Sequence, residues 1–448
     1  MVSNLFTRYN SFYFIGICGV SMSALAKYCI SLHKKTGGSD RDLSGAAHLK
    51  SLGALVNGGG TRALEGYEVV VYTDAVGRSD GELKLARSLS KIIVSRGKLL
   101  AEMQKNFART IAVSGCHGKT TCTGMLASVF AAAGQKFAAH IGGESLQFSN
   151  FFYSGNNFFI TEACEYKKNF LCLQPDTAVV LSTDADHLEC YSCREELENC
   201  YHKFAARAFT AVVPCGSLLA KRLNGDVVTF GEGGNFCADN ISHSRGRYEF
   251  TLKVRGKPVT DIKLAVCGRH NISNALAAAA AADAEGITFP DIKAGLESFS
   301  GTERRMEHIG GYRGIEFIAD YAHHPAEIAS ALVAVREIAQ GNIFVIFQPH
   351  TYSRTKNLFD RFVQSLSQCE NLMIYRTFAA REYFDAEGSA LTLADGIEGA
   401  AYGESVEDIK KFLSRAKTGD TALFLGAGDI YFIAKDLSLI HISEPTRH

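Results

Sequence analysis

The residues with the plainest chemical purpose are Gly115-Cys116-His117-Gly118-Lys119-Thr120-Thr121. They lie between an apolar stretch that reads as a strand, residues 110–113, and one that reads as a helix, residues 120–133. A loop at such a junction turns backbone N–H groups toward a phosphate, and the helix N-terminus adds the positive end of its dipole. Lys119 can reach β- and γ-phosphates, and the Thr120 hydroxyl can ligate magnesium. The usual G-x4-G-K-[ST] spacing is not met, because Val113 stands five positions before Gly118. A plain strand–helix turn with an exposed lysine is the alternative. It leaves the coincidence of strand, Gly-Lys-Thr and helix unexplained.

Two acidic strand ends follow. Glu162 closes the apolar stretch 158–161, and Asp184, Asp186 and His187 follow the stretch 178–182. Carboxyl ends of parallel strands gather on one side of an open sheet, where ligands bind. Glu162 and His187 are therefore expected near the same nucleotide as Lys119. A magnesium ion bridging phosphates needs only one or two protein ligands. The bland reading of Glu162 is a solvated carboxylate. His187, Cys190, Cys193, Cys200 and His202 also suggest zinc, but no second Cys-x2-Cys or spaced His pair completes the set.

Two further segments carry polar groups at strand ends. Gly16-Ile17-Cys18-Gly19-Val20-Ser21-Met22-Ser23 is a degraded G-x-G-x-x-G, followed by Asp40 at the end of the next strand. Its setting allows a diphosphate on the loop and a ribose hydroxyl on Asp40. Asp320-Tyr321-Ala322-His323-His324-Pro325 and Gln348-Pro349-His350-Thr351-Tyr352-Ser353-Arg354-Thr355 each follow an apolar stretch. Adjacent histidines on extended chain point to opposite faces, and Arg354 offers a planar fork for a carboxylate or phosphate. Both segments also read as ordinary polar loop tips.

The elements that must position these groups alternate. Apolar strands at 12–17, 54–57, 68–73, 110–113, 158–161, 178–182, 315–319, 343–347, 372–375 and 421–425 are interleaved with helical stretches such as 22–30 and the Ala-rich 271–284. That pattern is α/β with parallel sheets. The chain has 448 residues, which suggests about three domains at roughly 100–200 residues each. The borders fall at 1–109, 110–301 and 302–437. Residues 438–448 look like translated sequencing-adapter read-through and are set aside.

Composition excludes several classes. Hydrophobic residues at 46% and charged residues at 21% exclude general disorder. Lys plus Arg and Asp plus Glu are both 47, so no overall field draws the chain to nucleic acid or an anionic membrane. No apolar run approaches the ~18–20 residues of a span, and no secretory signal is read at the start. An odd number of cysteines, 13, among apolar neighbours fits reduced thiols in a cytoplasmic protein.

Taken in order, segments 16–26, 115–121, 162–166, 184–187, 268–274, 304–305, 320–325, 347–355 and 426–430 resemble the bacterial Mur ligases. The His-His-Pro and Gln-Pro-His segments resemble the alanine-adding member most. The resemblance spans residues 12–437 and implies three domains. These are a Rossmann-like N-terminal domain for a UDP-sugar, a P-loop ATPase domain with a mostly parallel sheet, and a Rossmann-like C-terminal domain for the amino acid. It implies an ADP-forming ligase that joins L-alanine to the lactyl carboxylate of UDP-N-acetylmuramate, a step in peptidoglycan synthesis, through an acyl phosphate.

Gly16, Gly19, Ser21, Met22, Ser23 and Asp40 would hold the sugar nucleotide. Gly115, His117, Gly118, Lys119, Thr120 and Thr121 would hold ATP phosphates, with Thr120, Glu162 and His187 on magnesium. His270, Asn271 and Asn274 match positions around adenine, and Arg305 and Asp320 reach the nucleotide from the last domain. Tyr321, His324, His350 and Arg354 match the amino-acid pocket. Lys119, His187, His324 and Arg354 are the implied catalytic set, with His324 as the base. The partners implied are small molecules, with no nucleic acid or membrane, for a monomer or homodimer.

Ser21 stands where the family usually has Gly, so its side chain is expected to crowd a diphosphate; Cys116 stands for a common Thr. A ligase adding a preformed tripeptide and a non-catalytic nucleotide binder remain alternatives. So does a dinucleotide oxidoreductase, which leaves Lys119-Thr120 unexplained.

Overall fold

The structure, a computed structural model, describes residues 4–60, 62–77, 79–183, 191–380 and 382–439. These fall into two compact units. One lies within residues 1–241, 249–265 and 271–300, the other within 242–248, 266–270 and 301–448.

The first unit holds two sheets. The smaller has five parallel strands in the order Leu55–Asn57, Lys35–Ser39, Ser11–Ile15, Val69–Tyr72, Ile92–Ser95. Ser11–Ile15 is buried at every position, as expected of a central parallel strand covered on both faces. Gly37 and Gly38 lie inside the strand Lys35–Ser39. A Cβ on Gly37 would sit 2.2 Å from the Tyr67 hydroxyl, so the glycine makes room for packing.

In the larger sheet, Arg109–Ser114 lies between Thr177–Val180 and Phe158–Glu162, parallel to both. This brings the ends of all three to one edge. Beyond Phe158–Glu162 come the parallel strand Phe137–Ser145 and its antiparallel partner Ser149–Tyr153. On the other flank the order runs Thr210–Pro214, Asp226–Phe230, Phe236–Ser244, Arg247–Val254, Lys257–Cys267. Helix Lys119–Ala132 follows the phosphate-type loop, and the Ala-rich helix His270–Ala284 is buried from Ala275 to Ala282.

The two sheets share one core rather than standing apart. Tyr28, on helix Val20–Ser31, is wholly buried, with its ring 5.9 Å from both Phe151 and Tyr153. The Asn150 amide donates to Val20 O at 2.7 Å and to Ser23 Oγ at 2.8 Å.

The second unit has six strands in the order Glu307–Tyr312, Ile315–Asp320, Thr421–Leu425, Ile343–Phe347, Asn371–Tyr375, Ala401–Gly403. Only the first pair is antiparallel. Apolar clusters cover both faces, one around Ile328, Leu332 and Phe362, the other around Ile409, Phe412 and Ala434. The last helix, Ile430–Leu439, runs two residues into the segment set aside as a tail. Ser438 is buried there, with its hydroxyl donating to Lys435 O at 2.7 Å. Residues 440–448 lie outside the described residues. Among the described residues no helix is long and apolar enough to cross a membrane.

Candidate active site

The loop before helix Lys119–Ala132 is shaped by two glycines. Gly118 has φ +81°, where a side chain is strained, and a Cβ on it would sit 2.3 Å from Asn274 Oδ1. Asn274 therefore lies directly on the loop, and its amide donates to Asn271 Oδ1 at 2.9 Å. Gly115 has φ +130° and leaves no room for a Cβ against the Leu181 and Ser182 backbone. The His117 N–H donates to Ser182 Oγ at 3.4 Å. Thr120 and Thr121 are half-buried on the first helical turn.

Lys119 is folded back onto this loop. Its ammonium donates to Gly115 O, to Cys116 O at 3.4 Å and to Glu165 Oε1 at 3.0 Å. Burial works against its charge, but the Glu165 carboxylate overrides this and raises its pKa. Glu165 is fully buried, and its Oε2 has no hydrogen-bond partner among the described residues. The sequence reading missed Glu165. Its only signal was a place inside the segment 162–166, three residues after the carboxylate that drew attention.

Glu162 ends its strand nearly buried, accepts the Gly142 N–H, and adds to the negative field on Lys119. A Cβ on Gly142 would meet Glu162 Oε2 at 2.3 Å, so this carboxylate is held by a cradle that only glycine leaves open. A buried carboxylate, a lysine and a glycine-formed loop fit a magnesium–triphosphate in kind. Asp184, Asp186 and His187 lie outside the described residues.

On the first sheet, Gly16 and Gly19 lead into helix Val20–Ser31, with Ser21, Met22 and Ser23 on its first turn. Asp40 braces this loop, accepting the Cys18 N–H at 2.9 Å on Oδ2 and the Asp42 N–H at 3.2 Å on Oδ1. Ser21 does not jut into the loop as expected. Its Oγ lies 2.8 Å from His140 Nε2 and accepts from Arg96 Nη1 at 3.2 Å. The helical backbone aims it at the second sheet.

The second unit gathers its own cluster. Asp320 ends its strand with Oδ2 accepting from Met306 N at 2.9 Å and Oδ1 from Ala322 N at 2.8 Å. Burial lifts its pKa to about 6, against the pull of Arg305 and these N–H donors. Arg305 lies over the Tyr321 ring at 5.5 Å. Tyr321 meets His323 edge-on at 5.3 Å, His323 lies 5.8 Å from His350, and Arg354 Nη1 reaches His350 Nδ1 at 3.4 Å. Burial lowers the His350 pKa to about 4. His270 opens its helix with the ring lying where a Cβ on Gly268 would be.

The two adjacent histidines have different tasks. His324 Nδ1 caps helix Pro325–Ile338, accepting the Ala326 N–H at 3.4 Å. A neutral His324 then carries its proton on Nε2, and its lone pair is engaged in the cap. His323 Nδ1 faces Tyr321 O at 2.9 Å and Glu327 Oε2 at 3.4 Å, both acceptors. Its proton therefore sits on Nδ1, which leaves Nε2 as the basic nitrogen. Nδ1 of His324 thus serves the helix cap, and Nδ1 of His323 serves the Tyr321 and Glu327 oxygens.

Family models match this architecture in chain order. The Mur ligase family catalytic domain covers residues 11–108, the Mur ligase middle domain 113–282 and the Mur ligase glutamate ligase domain 304–428. The chain belongs to the Mur ligase family. Among Mur ligases it is 36% identical to the UDP-N-acetylmuramate–L-alanine ligase of Acetivibrio thermocellus, over 97% of this chain and 98% of that protein. It is 37% identical to the same-named enzyme of Clostridium acetobutylicum, over 94% and 96%. The UDP-N-acetylmuramate-alanine ligase structure from Thermotoga maritima superposes with a TM-score of 0.84 at 26% identity, covering 97% of this chain and 99% of that one. A murein peptide ligase from Psychrobacter arcticus shares the fold, with a TM-score of 0.74 at 24% identity over 98% and 99%.

Proposed function

We propose that this Mur ligase joins L-alanine to the lactyl carboxylate of UDP-N-acetylmuramate, with ATP cleaved to ADP and phosphate. The observation that carries the reading is near-full-length similarity, at 36–37% identity, to enzymes of that name. The reading sets the reaction in the cytoplasm, as a step of peptidoglycan precursor synthesis, by a monomer or homodimer. It assigns the sugar nucleotide to residues 1–109, ATP to 110–301 and the amino acid to 302–437.

The lactyl carboxylate attacks the γ-phosphorus of ATP, and ADP leaves. Attacking and attacked groups are both negative, so positive charge at the phosphates lowers the barrier. Lys119 supplies it on exchanging its loop carbonyls and Glu165 for phosphate oxygens. Thr120, Glu162 and His187 would hold magnesium, which would supply further charge neutralisation. The acyl phosphate is then attacked at its carbonyl carbon by the alanine amine. The N–C bond forms, phosphate leaves, and a proton passes from the amine to His323 Nε2. Arg354 holds the alanine carboxylate, so the amine faces the carbonyl. Gly16, Gly19, Ser21, Met22, Ser23 and Asp40 hold the sugar nucleotide. The reading assigns the adenine to His270, Asn271 and Asn274, and gives Arg305 and Asp320 to the same nucleotide.

The test is phosphate release from ATP and magnesium with UDP-N-acetylmuramate and each of L-alanine, glycine, L-serine and a tripeptide. Release should require the sugar nucleotide, be fastest with L-alanine, and fall at least ~1,000-fold in Lys119→Ala. Release with tripeptide alone would sink the alanine assignment.

A further inference from the structure

We propose that His140 is a positioning residue that couples the sugar-nucleotide loop to the strand end bearing Glu162, as the central link of a hydrogen-bond chain between them. The inference rests on the function proposed above. Ser21 belongs to the loop–helix junction assigned to the sugar nucleotide, and Thr161 immediately precedes the carboxylate assigned to magnesium. His140 bridges the two. Its Nε2 lies 2.8 Å from Ser21 Oγ and its Nδ1 lies 3.1 Å from Thr161 Oγ1.

One consistent direction runs through these bonds. Thr161 Oγ1 donates to Glu162 O at 3.0 Å, so it meets Nδ1 with a lone pair. Nδ1 then carries the ring proton, and Nε2 accepts from the Ser21 hydroxyl. Ser21 in turn accepts from Arg96 Nη1 at 3.2 Å. The bonds run one way: Arg96 to Ser21, Ser21 to His140, His140 to Thr161, Thr161 to the Glu162 main chain.

Three features make this chain stiff. His140 is 2% exposed, so water does not compete for its bonds. Burial and the Arg96 charge push its pKa down to about 3, which keeps the ring neutral and the bond order fixed. Two residues further along the same strand, Gly142 N holds the Glu162 carboxylate itself. A shift of the loop on taking up the sugar nucleotide therefore reaches Glu162 both through the ring and along strand Phe137–Ser145. The usual family glycine at position 21 lacks the hydroxyl that the chain needs.

The test uses the full chain and binding alone. The Kd of UDP-N-acetylmuramate is measured by calorimetry, with and without magnesium and a non-hydrolysable ATP analogue. The wild-type ratio should differ from one by about fivefold or more. It should fall to near one in His140→Leu, Ser21→Gly and Thr161→Val, and be kept in Thr161→Ser. A purely structural role would lower the melting temperature and leave the ratio unchanged. Should His140→Leu fail to fold, Ser21→Gly decides, because the helix stays tied through Asn150. A wild-type ratio retained in Ser21→Gly overturns the coupling. So does a wild-type ratio of one, while leaving the proposed function intact. Absence of sugar-nucleotide binding by the wild type removes the functional reading and this inference together.

Discussion

His323 and His324 show how one peptide bond separates two chemistries. Replacing His323 with Gln should lower the rate of amide formation by about 100-fold or more. His324→Asn keeps a cap acceptor and should cost little activity; His324→Ala should destabilise by about 1 kcal/mol through the lost cap. Steady-state kinetics and urea unfolding separate the two. In the proposed reaction the neutral His323 is the base. Burial lowers its pKa, with Glu327 opposing, so activity should fall with acid only below the usual histidine range near 6.5. Glu327→Gln should move that limb to still lower pH, read from the pH–rate profile. Glu165 makes a second residue-scale case. Glu165→Gln strips Lys119 of its buried counter-charge and should destabilise the protein by roughly 3 kcal/mol. ATP supplies a substitute charge, so saturating nucleotide should raise the variant's melting temperature more than the wild type's. Equal rises would refute the pairing.

At the scale of elements, Gly118→Ala places a Cβ at a left-handed φ and against Asn274 Oδ1. It should weaken ATP binding by about tenfold in calorimetry while leaving UDP-N-acetylmuramate binding within about twofold, since ~1–2 kcal/mol of strain falls on the phosphate-type loop alone. The sequence displayed the parallel core well. The strand expected at 110–113 is Arg109–Ser114, that at 343–347 is Ile343–Phe347, and the helix expected at 120–133 is Lys119–Ala132. Continuous burial makes such strands uniformly apolar and easy to see. The missed elements are half-exposed. Phe236–Ser244 is exposed over its last six positions, so nothing in its composition marks a strand. It and its neighbours are joined by Arg245-Gly246 and Arg255-Gly256, all at positive φ. That is the type I′ turn, written here with Arg in place of the usual Asn or Asp. In the candidate site, residue types displayed Lys119 and Glu162. His323, Glu165 and His140 needed hydrogen-bond partners that only folding supplies.

At the scale of the molecule, two compact units predict two unfolding transitions. UDP-N-acetylmuramate at about 100 times its Kd should stabilise the unit to which the proposal assigns it by ~2.7 kcal/mol and leave the other transition in place, which scanning calorimetry would resolve. The border near residue 109 is thus a border between sheets but not between folding units. Tyr28 needs Phe151 and Tyr153 to cover it, and Phe107 stacks on Phe159 at 5.0 Å. A gene fragment cut at that border would carry a bare aromatic face and invite aggregation. Recombination between relatives can then exchange the two sheets of the first unit only as a pair. The last crossing of the chain between the two units falls near residue 300, and a crossover there takes residues 242–248 and 266–270 of the second unit from the other parent.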